Sequence, residues 1–89
     1  MSATPAQILE AARQHAGLSR RDLWIGYYAI GGLADPSTLA AYLTGELEPD
    51  RFQYDVIAQA INDSFVGAGS DHPVPYAEDL SPSVFRDLS

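Results

Sequence analysis

The 89-residue chain contains no cysteine and no lysine, and only one methionine and one tryptophan. Without cysteine there is no disulfide, no zinc–thiolate site and no thiol redox chemistry. No apolar run approaches the roughly 18 residues of a membrane span, so no membrane-crossing helix is expected. No charged-then-apolar leader opens the sequence, so secretion is not expected and a cytoplasmic setting is. All five basic residues are arginines, set against 12 acids, and the formal net charge is −7. That balance opposes a protein that coats nucleic acid through its overall charge. What is present is an ordinary globular composition, with 46% hydrophobic residues. A chain of this length has room for one core and one domain.

The charge is unevenly placed. Residues 1–45 hold Arg13, Arg20 and Arg21 against Glu10, Asp22 and Asp35, and are neutral. Residues 46–89 hold Arg51 and Arg86 against nine acids, and so carry the whole −7. Such asymmetry marks either a solvated face that keeps a small domain dispersed or an interaction surface.

The punctuation is helical. Thr4-Pro5-Ala6-Gln7 is a capping box with proline at the first helical position, followed by Ile8, Leu9, Ala12 and Ala16 at helical spacing. Gly17 closes a helix predicted over 5–16. Ser19-Arg20-Arg21-Asp22 caps a second helix that runs from Leu23 to Ile30 and stops at Gly31-Gly32. At about 100° per residue, Leu23, Tyr27 and Ile30 share a core face. Trp24 and Tyr28 lie on the next face, as core or as contact surface, because this helix carries more apolar arc than one small core needs. The same run also reads as a buried strand. Asp35-Pro36 starts a third helix with a stripe of Leu39, Tyr42 and Leu43, ended by Gly45.

Pro49-Asp50 opens the fourth and longest helix. Tyr54, Ile57, Ala58, Ile61 and Phe65 form its broad apolar face, flanked by Phe52, Val56 and Ala60. Asp55, Gln59, Asn62 and Asp63 form its wet face, and Gly67 and Gly69 terminate it. Residues 1–66 thus read as a helical domain and 67–89 as a Gly/Pro-containing strap or tail. Asp71-His72-Pro73-Val74-Pro75-Tyr76 is an extended stretch, since residues before proline avoid the helical region. Ser81-Pro82 is a possible start for a short fifth helix bearing Val84, Phe85 and Leu88. Tyr76 and Phe85 favour docking of this tail on the helices, because disordered tails are poor in aromatics. The expected fold is all-α: a four-helix bundle with a C-terminal extended strap.

Three stretches carry a family resemblance. Ile8-Leu9-Glu10-Ala11-Ala12-Arg13-Gln14-His15-Ala16-Gly17-Leu18-Ser19 resembles the first helix of the lambda-repressor-like (XRE-type) helix-turn-helix domains and the "GLS" entry to their second. Asp35-Pro36-Ser37-Thr38-Leu39 resembles the opening of their recognition helix. Gly45, Pro49, Ala58 and Ile61 stand at the family's usual offsets. The resemblance covers Ile8 to Ile61. It implies a helix-turn-helix fold and sequence-specific DNA binding, with residues 36–44 in the major groove. Arg20, Arg21, Ser37, Thr38 and Tyr42 would then make the contacts. The all-arginine basic set and the 71–76 stretch also resemble short regulatory proteins of high-GC actinobacteria, which implies no defined activity.

The departures from the family are physical. Residues 36–44 contain no Arg, Lys, Asn or Gln, the side chains that pair bidentately with guanine and adenine edges. Glu46, Glu48 and Asp50 follow directly and would face phosphate repulsion. Leu23 to Leu33 is longer than the family's second helix and turn. The reading drawn is therefore a small non-catalytic regulatory module on a helix-turn-helix-like scaffold. It would bind a protein partner, or a second copy as a homodimer, through Trp24, Tyr28, Glu46, Glu48 and Asp50. A sequence-specific DNA-binding transcriptional regulator is the alternative. His15 and His72 lack the converging partners of a metal site, and the acids at 46–55 lack the spacing of a calcium loop. There is no nucleophile elbow and no phosphate loop, so neither an enzyme nor a cofactor is expected.

Overall fold

A computed structural model describes residues 3–67, 69 and 74–80. Among them are four α-helices, α1 (Pro5–Ala16), α2 (Arg20–Ala29), α3 (Pro36–Thr44) and α4 (Arg51–Gly67), and no strand. Residues 74–80 form a strap with a single 3-10 turn at Ala77–Asp79. None of these helices is long and apolar enough to cross a membrane. The Ser81-Pro82 helix start, with Val84, Phe85 and Leu88, lies outside the described residues.

The helix starts form where the capping chemistry places them. Thr4 Oγ1 accepts from the Gln7 N–H, and Gln7 Oε1 accepts from the Thr4 N–H at 2.9 Å. Ser19 Oγ accepts from the Asp22 N–H, and Asp35 Oδ1 from the Thr38 N–H at 2.8 Å. Asp50 Oδ1 does the same for Gln53 at the start of α4. Each satisfies a donor that the first helical turn leaves without a backbone partner. Gly17 ends α1 in the left-handed region at φ 71°. Its neighbour Leu18 C=O accepts from Arg13 Nη1 at 2.6 Å, while Arg13 Nε and Nη2 grip Glu10.

α4 is the central element, packed against both α1 and α2. Leu9, Leu23, Tyr27, Leu39, Tyr54, Ile57 and Ile61 are essentially without solvent exposure and form one core. α2 comes close to α4 at Gly26, where an added Cβ would lie 3.9 Å from Ala60 Cβ. Residues 23–29 are helical, not extended, with Ile30 as the cap residue after the last turn.

Three face assignments are corrected. Ile30 was expected in the core, but α2 ends at Ala29 and leaves it 37% exposed. Phe52, expected to flank the core, is 58% exposed, because it lies in the first turn of α4 on a side that none of the described residues covers. Asn62, expected on the wet face, is 2% exposed, because the strap lies over it.

Candidate interaction surfaces

Two surfaces flank α4. The first is built on α2. Trp24 and Tyr28, four residues apart, stack with ring centroids 5.1 Å apart and planes 21° from parallel. Trp24 is half-buried and its Nε1–H donates to Ala34 C=O at 3.0 Å. Tyr27, one residue before Tyr28, points inward. Its hydroxyl accepts from the Ala34 N–H at 2.9 Å and donates to Gln53 Oε1 on α4. Both polar groups of Ala34 are thus held by α2 aromatics. Gly32 closes the arrangement, since a Cβ there would meet the Tyr27 ring at 2.4 Å. The pair therefore has a fixed floor, and Tyr28 stands 62% exposed above it. Ile25 at 49% and Leu33 at 81% are also exposed on α2 and in the segment that follows it.

Glu46, Glu48 and Asp50 are exposed in the connection after α3. Asp50 is also the capping residue of α4. The Tyr42 phenol is half-buried, and its pKa is pushed up by burial first, then by Tyr27 and Asp50.

The residues of the DNA reading are placed as follows. Arg20 and Arg21 are exposed in the first turn of α2, and Arg20 Nη2 lies 3.8 Å from Glu10 Oε2. Ser37 Oγ donates to Asp35 Oδ1 at 3.1 Å. Hydrogen bonds from Thr38, then from Ser37, hold the Asp35 carboxyl below its usual range. The N-terminus of α3 therefore already has an anion of its own. Six residues, 30–35, join α2 to α3, against the 3–4 of a tight helix-turn-helix connection.

The second surface was not legible as a site in the sequence. Along the side of α4 away from α2, the strap is held through its main chain. Asn62 makes a two-pronged contact with Val74: Nδ2–H donates to the carbonyl and Oδ1 accepts from the N–H, both at 3.0 Å. The Tyr54 hydroxyl donates to Pro75 C=O at 2.7 Å, and Asp55 Oδ1 accepts from the Ala77 N–H at 2.7 Å. Val74 and Ala77, each 3% exposed, fill the apolar seats between these contacts. Burial first, then the charges of Asp55 and Asp79, hold the Tyr54 phenol well above its ordinary pKa. The available signal was the seven-residue interval between Asp55 and Asn62, which puts both on one side of a helix facing a Pro-rich segment.

Among the described residues no group of three His, Cys, Asp or Glu side chains is placed to hold a metal ion. Compared with family models, curated proteins and solved structures, the chain matches none.

Proposed function

We propose that this chain is a non-catalytic, regulatory protein-binding module on a helix-turn-helix-like scaffold, and that the Trp24–Tyr28 face of α2 is its contact surface. The observation that carries the reading is the mounting of Tyr28. It is largely exposed, stacked on Trp24, and Trp24 is anchored to the Ala34 carbonyl. Rigid exposed aromatics bind at low entropic cost and dominate interface energetics. The exposed acids Glu46, Glu48 and Asp50 supply a field that steers basic groups toward the module. A second copy meeting the same face would give a homodimer.

Sedimentation across a concentration series, wild type against Tyr28→Glu, tests the homodimer. A dimer that Tyr28→Glu disperses while helicity stays intact supports use of this face. A dimer that Tyr28→Glu leaves unchanged removes it. Titration with mixed-sequence DNA at about 20 mM salt separates the module from a DNA reader. No binding is expected. Binding that weakens steeply with salt, and is lost in Arg20→Ala with Arg21→Ala, would replace the proposal.

A further inference from the structure

The outer face of α2 is complementary to itself when reversed. Arg21, Ile25 and Tyr28 are exposed and lie within about 60° of one another around the helix. Leu23, Gly26 and Tyr27 occupy the opposite side and face the rest of the protomer. The outer face is thus cationic at its first end, apolar at Ile25 and aromatic at its second end. Arg21 and Tyr28 stand about 10 Å apart along the helix axis. Tyr28 rests on Trp24 and is otherwise largely exposed.

Within one protomer the charges on this helix are placed unfavourably. α2 opens on Arg20 and Arg21, where the helix macrodipole favours acids, and only Asp22 has the favourable sign. Its last turn holds no basic residue, although the macrodipole favours one there. Arg20 is compensated by Glu10 at 3.8 Å. Among the described residues none pairs with Arg21. Acids stand toward the other end of the helix. Asp35 follows Ala34, which Trp24 and Tyr27 hold, and Asp50 caps Gln53, which accepts from the Tyr27 hydroxyl. An antiparallel second copy reverses these relations. It brings each Arg21 to the partner's exposed tyrosine ring and to the negative end of the partner's α2. A parallel copy would set arginine against arginine.

We propose that the occupant of the α2 face is a second copy of this chain, docked antiparallel about a two-fold axis between Trp24 and Ile25, with each Arg21 on the partner's Tyr28. This rests on the reading of the face as a contact surface, and adds its occupant and its orientation. Ile25 meets its own copy near the axis. A contact made by a single helix is at the small end of specific interfaces, so association is expected at about 0.1–1 mM protein. Because opposite charges carry part of the contact, added salt weakens it.

The chain has no cysteine, so single cysteines placed in the full-length protein report the pairing directly. Under mild oxidation at about 0.5 mM protein, Ile25→Cys should cross-link to itself well above Gln59→Cys, an exposed α4 position that sets the collision background. Arg21→Cys alone and Tyr28→Cys alone should stay near background, because their thiols lie about 10 Å apart along the axis. Mixed together they should cross-link, with one Arg21–Tyr28 contact still intact. In sedimentation, Arg21→Glu should weaken association at least tenfold. The same change should raise the melting temperature of the dilute protomer, because an acid in the first turn suits the macrodipole. Association and melting temperature that fall together would make Arg21 a structural residue and overturn the proposal. A chain that is monomeric at about 1 mM overturns the homodimer and leaves the α2 face to a different protein. Self-cross-linking of Arg21→Cys with no enrichment in the mixture overturns the antiparallel orientation. A dimer unchanged in both Arg21→Glu and Tyr28→Glu forms elsewhere on the chain, and removes the contact-surface reading of α2 as well.

Discussion

α2 and the strap cover α4 from opposite sides, and they are held by different physics. The α2 side is closed by large side chains: Leu23 and Tyr27 fill the space, and the Tyr27 hydroxyl joins Ala34 to Gln53. The strap side buries the small side chains of Val74 and Ala77, packs Tyr76 and Leu80 only in part, and relies on polar groups of α4 to hold main chain. Apolar burial contributes stability in proportion to area, whereas a net hydrogen bond contributes only about 0.5–1.5 kcal/mol. The α2 side is therefore part of the global fold. The strap is a local unit that opens at lower free energy.

The largest effect should come from breaking the α2 side. Tyr27→Ala removes a fully buried ring and both of its hydrogen bonds, and should cost about 3–5 kcal/mol in urea unfolding. Gly32→Ala should act through the same ring, because its methyl has no room. If either variant loosened the strap and left the global midpoint unchanged, the comparison would be inverted.

Next in size is Asn62→Ala. It leaves the Val74 N–H and C=O without their side-chain partner, at a cost of about 1–3 kcal/mol. Hydrogen exchange should accelerate at Val74 and Ala77 and stay slow through α2. Uniform acceleration would mean that strap and core are one cooperative unit.

A smaller effect is expected at low pH, at the α1–α2 corner and at the Asp35 cap of α3, and not at the strap. The Arg13 hydrogen bonds hold the Glu10 carboxyl below the usual carboxylate range, opposed by partial burial and assisted by Gln14. A lowered carboxylate stabilises the fold above its unfolded pKa and loses that contribution as pH falls through the folded value. Thermal unfolding should therefore show a shallow drop in stability below about pH 4.5 that Glu10→Gln reduces and that Asp35 keeps in part. The effect should register at the α1–α2 corner, where Arg13 also holds the Leu18 carbonyl, and not at the strap.

The smallest effect belongs to Tyr28→Glu. Tyr28 is mostly exposed, and its loss should move stability by no more than about 0.5 kcal/mol. A loss of several kcal/mol would make the aromatic pair part of the core and remove it as a contact surface.

The legible parts of this molecule share a cause. Thr4, Ser19, Asp35 and Asp50 announce helix starts because capping is chemistry between residues three positions apart. Leu39 and Leu43 announce a buried stripe because the helical period is local too. Ile30 and Phe52 misled because a pattern names a face but does not say where the covering element ends. Asn62 misled for the opposite reason. A polar residue reads as wet, and only a segment twelve positions later makes it buried and bonded.

The sequence by itself determined the all-α class, the four helices with their caps, most of the core, and the confinement of the net charge to residues 46–89. Each of these follows from short-range rules or from counting. Tertiary structure decided that Trp24 is pinned to Ala34 while Tyr28 is left outside. It also decided that Tyr54, Asp55 and Asn62 form a seat for an extended backbone. Those outcomes depend on which main-chain groups arrive from distant parts of the chain. Backbone donors and acceptors are the same in nearly every residue, so no residue pattern distinguishes the ones that will be met.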